Sequence, residues 1–341
     1  MSTPTTASPA HVGRALITGG AGFIGGHLSR RLLADGWTID LVDNMSRGVE
    51  DDVLAALTAH PDFTLHIADL RDPHALDDLG DDYTLIIHMA ALLGVQNVMD
   101  RPFDVLRENV SMLERLLDVG LRQKALRRFV FPSTSEVYVG TQQHFELPIP
   151  SPETTPLAIS PLDHPRTSYM LSKIYGEALV HQCGLPFTIV RPHNFYGPRM
   201  GLSHVVPQLL QRIHASADGD ELEVYSIDHM RTFCHIDDAV EYIVRLIGTD
   251  DAAGGTFNVG VQSPEVTIGE LAELLCTVVG RDLRIVAGET TPGSPYRRCP
   301  DMAHTIATTG YEPQVSLTEG VTSVYDWYRE RVFEGGGISA R

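Results

Sequence analysis

Ala15-Leu16-Ile17-Thr18-Gly19-Gly20-Ala21-Gly22-Phe23-Ile24-Gly25 is the stretch that decides the fold, and it leads into the helical segment 27–33. An apolar run, a glycine loop and a helix follow one another. A pyrophosphate held at a helix N-terminus needs free backbone N–H groups, the positive end of the helix dipole and no intervening side chains. Gly19, Gly22 and Gly25 meet those needs. A lone glycine-rich turn is a weak signal, so the test is an acidic residue ending the next strand roughly 20 residues on. Asp43 stands there, closing Trp37-Thr38-Ile39-Asp40-Leu41-Val42. A carboxylate at that place accepts hydrogen bonds from an adenosine ribose and repels a 2′-phosphate, which favours NAD over NADP. Arg47 nearby argues the other way.

Working outward, 341 residues suffice for a large core, as one big domain or two intimate ones. The formal charge of −18, from 26 basic and 44 acidic residues, argues against nucleic acid or a membrane surface as the main partner. A phosphorylated ligand must then be held by local groups. Cys183, Cys234, Cys276 and Cys299 form no C-x-x-C pair, so the expectation is four reduced thiols in a cytoplasmic protein without a metal site. No apolar run reaches the roughly 18 residues of a membrane helix, and no signal-peptide pattern opens the chain. Residues 1–12 read as a disordered lead and 335–341 as a flexible tail.

After Asp43 a helical stretch is expected to about Ala59, then a strand over 63–68 ending at Asp69-Leu70. Asp69 suits either an adenine amino group or a helix N-cap before Pro73. The run Leu85-Ile86-Ile87-His88-Met89-Ala90-Ala91 has the unbroken apolar character of a strand buried on both faces, and Ala90 and Ala91 permit close approach of a ligand. His88 reads as a core histidine. Segments 102–120 and 167–183 carry helical spacing. Arg128-Phe129-Val130-Phe131 is another buried strand, and it delivers Ser133-Thr134-Ser135-Glu136-Val137-Tyr138 at its C-terminal end, where open α/β sheets bind ligands. Residues 146–165, rich in proline and without period, form a long loop. Tyr169 and Lys173 then fall four apart, on one helix face. An ammonium beside a phenol favours phenolate, which makes the tyrosine a usable general base.

With the glycine loop, Asp43, the Ser133 to Glu136 cluster and the Tyr169/Lys173 pair in this order, the chain resembles the extended short-chain dehydrogenase/reductase family. Its members include nucleotide-sugar epimerases, dehydratases and decarboxylases. The resemblance spans residues 14–330 and includes Arg191-Pro192-His193-Asn194-Phe195-Tyr196-Gly197-Pro198-Arg199, Arg231-Thr232-Phe233-Cys234-His235-Ile236-Asp237-Asp238-Ala239 and Arg298-Cys299-Pro300-Asp301. It implies an α/β fold: a Rossmann doubly wound parallel sheet over 13–190, joined by chain from 230–260, and a smaller, interleaved α/β substrate lobe over 191–334. It further implies tightly bound NAD against Gly19, Gly22, Phe23, Ile24, Gly25, Asp43, Asn44, Asp69, Leu70, Ala90, Ala91 and Asn109, with Tyr169 and Lys173 at the nicotinamide end. Asn194, Arg199, Tyr225, Arg231 and Arg298 fall where relatives hold a nucleoside-diphosphate sugar. Segments 102–120 and 167–183 pair in the homodimers of relatives.

The chemistry so implied is transient oxidation at C4 of the sugar. Tyr169 takes the hydroxyl proton, Thr134 shares its hydrogen bond, and Lys173 holds the nicotinamide ribose. Three outcomes remain open: hydride return to the opposite face gives a 4-epimer, loss of water a deoxy sugar, loss of a C6 carboxylate a pentose. Ser135 stands where the TDP-glucose dehydratases carry an aspartate, against that outcome. The string Ser133 to Tyr138, with Glu136, resembles the UDP-glucuronate decarboxylases and the GDP-mannose dehydratases, and Gly197-Pro198-Arg199-Met200 also resembles the decarboxylases; Val139 and the long 146–165 loop depart from the decarboxylase pattern, and the frequency of epimerases in the family keeps epimerisation slightly ahead. A reading of another class is a sensor that binds NAD without turnover; the intact Thr134, Tyr169 and Lys173 speak against it.

Overall fold

The structure is a computed structural model that describes residues 12–291 and 293–335. The lead and the tail expected at the two ends therefore lie outside the described residues, except for Val12 and Gly335.

Six strands, β1 (Gly13–Thr18), β2 (Trp37–Asp43), β3 (Phe63–Ile67), β4 (Leu85–His88), β5 (Arg128–Pro132) and β6 (Phe187–Pro192), join Gly255–Val259 in one seven-stranded sheet. Its order is Gly255–Val259, β6, β5, β4, β1, β2, β3, and every pairing is parallel. This is the doubly wound α/β sheet expected from the sequence. The chain reverses direction across the sheet between β1 and β4, and the crevice at their C-terminal ends is where such sheets take ligands. Strands β4 and β5 are buried throughout, as unbroken apolar runs require when helices cover both faces.

One face is covered by Phe23–Ala34 and Ile236–Gly248, whose Leu28, Leu32, Tyr242 and Leu246 pack on Ile17, Ile39 and Ile87. The other is covered by Pro102–Arg122 and Thr167–Gln182 through Leu113, Leu116 and Val180. A separate core forms among the helices Val205–Ala215, Ile268–Val279 and Leu317–Tyr328, centred on Leu210, Leu271, Leu275, Val321 and Tyr328. Each such fully buried side chain contributes roughly 1.5–3 kcal/mol. Two of these helices open on capping boxes, Thr267 with Glu270 and Ser316 with Glu319, which satisfy otherwise orphaned N–H groups.

One expectation needs correction. The helix expected after Asp43 begins only at Asp52, capped by Asp51, because Asp43 and Asn44 take the N–H groups of Met45 and Ser46 and hold residues 44–51 in a loop. In the C-terminal part of the chain, the strand Glu221–Val224 ends where the chain turns through Ser226 at φ 54°. Of residues 278–287 only Arg284–Ala287 is strand, since Gly280, in the left-handed region, ends the preceding helix.

Among the described residues no helix is long and apolar enough to cross a membrane. All four cysteines are free.

Candidate active site

The glycine loop is built to receive a phosphate. Gly19 has φ 69°, and a Cβ there would lie 2.4 Å from the backbone of Ala90. The helix that follows backs directly onto the loop, because a Cβ on Gly25 would meet Gly20 Cα at 2.3 Å. Gly22 is different: a Cβ there would find nothing within 4 Å, so its face of the loop is open. No side chain caps this helix, which leaves its first N–H groups for a ligand. A dinucleotide pyrophosphate fits that cradle.

Asp43, at the end of β2, is buried, accepting from Ala21 N at 2.9 Å and from Met45 N at 2.8 Å. It thereby ties the ribose end of the site to the glycine loop. Asp69 caps no helix; it accepts from Asn44 Nδ2 at 3.0 Å and from the Arg71 guanidinium, which holds its carboxyl far below the usual carboxylate range. Asn109 is spent on Leu92, accepting from its N–H at 2.7 Å and donating to its carbonyl at 3.1 Å. Its contribution is to fix the chain beside Ala90 and Ala91. Leu70 is buried, and Phe23 and Ile24 are half-buried.

Strand β5 hands the chain to a short turn, Ser135–Tyr138, that Thr134 caps by accepting from Glu136 N at 3.2 Å. A buried network braces that turn. Tyr138 O–H donates to Asn258 Oδ1 at 2.9 Å and accepts from Arg191 at 2.7 Å, and Arg191 grips Glu177 at 2.9 and 2.6 Å. Asn258 Nδ2 donates to the carbonyls of Ser151 and Asp301, so its oxygen faces both Tyr138 and His193 Nε2. No sequence signal announced this support, because its members are spread from Tyr138 to Asn258.

Tyr169 and Lys173 face the same turn from the helix Thr167–Gln182. Lys173 is buried; its Nζ donates to Pro132 O at 2.8 Å and sits 4.9 Å from the Phe131 ring centroid and 5.9 Å from that of Tyr169. Burial lowers its pKa to about 8. The expected depression of the Tyr169 phenol by Lys173 does not occur. Burial raises the phenol's pKa, the charge of Glu136 raises it further, and the opposing cation is Arg47, from the loop after β2. Sequence reasoning had weighed Arg47 only for its bearing on NADP.

The expected substrate groups divide. Arg298 Nη2 meets Glu136 Oε1 at 3.3 Å, joining two residues 162 positions apart. Arg231 is buried, donates to Ser294 Oγ at 3.0 Å and Pro295 O at 2.6 Å, and has its pKa lowered by burial and by the charge of Arg298. Two guanidiniums close enough to repel make an anion welcome. Asn194, at φ 44°, donates to Thr232 O at 2.9 Å, and the half-exposed Tyr225 donates to Glu223. Arg199 is a correction. Its guanidinium is committed to Asp51 and to carbonyls of the glycine loop, leaving none of it facing a substrate. Beside Glu136 a mostly apolar cavity of about 380 Å³ opens between Val139, Ser160, Thr167 and Met170.

A model described as the NAD dependent epimerase/dehydratase family matches residues 15–260. The chain is 29% identical over 332 residues, 93% of its length and 98% of the relative's, to a UDP-N-acetyl-alpha-D-glucosaminuronate decarboxylase of Bacillus cytotoxicus. It is 31% identical over 331 residues, 94% of its length and 90% of the relative's, to UDP-glucuronic acid decarboxylase 6 of Arabidopsis thaliana. Among solved structures, a dTDP-glucose 4,6-dehydratase from Streptomyces venezuelae with NAD bound superposes with a TM-score of 0.80 at 26% identity, covering 93% of this chain and 97% of that one.

Proposed function

The chain belongs to the NAD-dependent epimerase/dehydratase family, and from that premise we propose that it decarboxylates a UDP-hexuronate. The C4 hydroxyl is oxidised, the resulting β-keto acid loses its C6 carboxylate as carbon dioxide, the enolate left behind takes a proton from water at C5, and C4 is reduced again to leave a UDP-pentose. The observation that carries this reading is the Glu136–Arg298 pair at 3.3 Å beside Tyr169. The decarboxylase relatives support it.

NAD, when bound, supplies the acceptor and later the donor of the hydride at C4. Everything else falls to the chain. Tyr169 takes the C4 hydroxyl proton, with Thr134 sharing the hydrogen bond. Burial and the charge of Glu136 push the same phenol up, and the Arg47 charge lowers the cost of forming phenolate. Arg298 and Arg231 attract the substrate's negative charges. A cation near C6 orients the carboxylate, and Glu136 beside it disfavours a second negative charge until carbon dioxide departs. Lys173 anchors the base helix to β5 through Pro132 O.

Glu136→Gln separates the two halves of the reaction. With UDP-glucuronate as probe, C4 oxidation persists and reduced cofactor accumulates, while release of carbon dioxide falls about 100-fold, within the range for a positioned acid/base or charged group. Arg298→Met raises the dissociation constant of the uronate more than that of UDP-glucose. Carbon dioxide release at the wild-type rate in both variants contradicts the proposal, as does a wild-type product that keeps its carbon and differs only at C4.

A further inference from the structure

Arg199 and Asp51 form an ion pair that the proposed chemistry does not use. Their side chains are 1% and 0% exposed, with Nε 2.6 Å from one carboxylate oxygen. Nη2 lies 3.2 Å from the other oxygen, which also accepts from Leu54 N to cap the helix Asp52–Thr58. The guanidinium also reaches the cofactor loop, Nη1 donating to Gly22 O at 3.3 Å and Nη2 to Ala21 O at 3.4 Å, and Nη2 further meets Val49 O at 3.2 Å in the loop after β2. The packing is close, because a Cβ on Gly26 would meet Arg199 Nη1. Arg199 also holds φ 71°, an unfavourable backbone for a long side chain.

Burial of two charges and a strained backbone are poor ways to gain stability. They make sense as a device for orienting the loop. A planar peptide points its C=O and N–H in opposite directions. Drawing the carbonyls of Ala21 and Gly22 toward one guanidinium therefore turns the N–H groups of Gly22 and Phe23 to the opposite side, the face left open at Gly22. Asp43 fixes the preceding N–H, that of Ala21, so both ends of this segment are tied.

We propose that Arg199 is a positioning residue for the dinucleotide: it holds the pyrophosphate loop in its binding conformation and keeps NAD from leaving. Because it comes from the turn after Phe195–Tyr196, more than 170 residues from the loop, it also makes cofactor retention depend on the chain that follows the sixth strand. This goes beyond the proposed reaction and is independent of which sugar is turned over.

The test uses the full-length protein stripped of NAD. Lysine at 199 keeps a charge against Asp51 but lacks the planar fork that reaches both loop carbonyls. In Arg199→Lys the NAD dissociation constant measured by calorimetry rises at least tenfold, and the NAD-induced increase in Tm shrinks accordingly. Affinity for UDP alone stays within about twofold. A role confined to folding has a different signature: Tm of the NAD-free variant falls while the NAD-induced increase is intact. That result overturns the proposal, as does an unchanged NAD dissociation constant.

Discussion

Replacing Lys173 by methionine is expected to abolish turnover and yet stabilise the NAD-free protein near neutral pH. The ammonium is buried, and its pKa falls from 10.5 to about 8. A depression of that size corresponds to about 3 kcal/mol of destabilisation while the group is charged in both states. Against it stand the bond to Pro132 O and the contact with the Phe131 ring, together worth about 1–2 kcal/mol. The net gain from Lys173→Met is about 1–2 kcal/mol at pH 7, or about 2 °C in Tm for a chain of this size. The sign with pH follows from the lowered folded-state pKa. Between about 8 and 10.5 the unfolded chain binds more protons, so wild-type stability rises and the advantage of methionine disappears. Urea denaturation of both stripped proteins at pH 7 and pH 10 measures the gap. A methionine variant less stable at pH 7, or a gap that does not change with pH, refutes the reasoning.

Burial holds four imidazoles neutral, lowering His27 and His204 to about 4 and His88 and His193 to about 3, against 6.5 when unfolded. Below pH 6.5 the unfolded chain therefore takes up protons that the folded chain refuses, and each imidazole removes up to about 1.4 kcal/mol per pH unit until its folded pKa is reached. Tm should fall steadily from pH 6.5 to 4.5, less steeply in His88→Gln; a flat profile counts against neutral burial. Tyr169→Phe should lower kcat by about 10²–10⁴ while the protein still melts cooperatively, since it removes the group proposed to take the C4 proton. A loss below tenfold would reassign the base.

What the sequence made legible was whatever depends on neighbours along the chain. Gly19 to Gly25 with Asp43 identified the nucleotide half of the sheet, because phosphate binding at a helix start demands small residues at fixed offsets. Tyr169 and Lys173 were legible because helix geometry puts positions four apart on one face. The environment of those groups was not. Whether a phenol is raised or lowered depends on burial and on charges contributed by Glu136 and Arg47, which spacing does not encode. Arg199 shows the same limit. Its motif pointed to a ligand, while its partners, Asp51 and two loop carbonyls, lie about 150 or more positions away. Glu136 and Arg298 stood in the sequence as two candidates for one decarboxylation, and only folding shows that they meet, at 3.3 Å across 162 positions.

If this site removes carbon dioxide from a nucleotide-linked uronate, the lost mass is directly observable. The most direct measurement is mass spectrometry of UDP-glucuronate incubated with the purified protein and NAD, beside UDP-glucose and dTDP-glucose as controls. The expected result is a product lighter by one carbon dioxide from UDP-glucuronate alone, with no net change in NAD and no such product from Tyr169→Phe. An unchanged mass with a second chromatographic peak, or loss of water from dTDP-glucose, would contradict it.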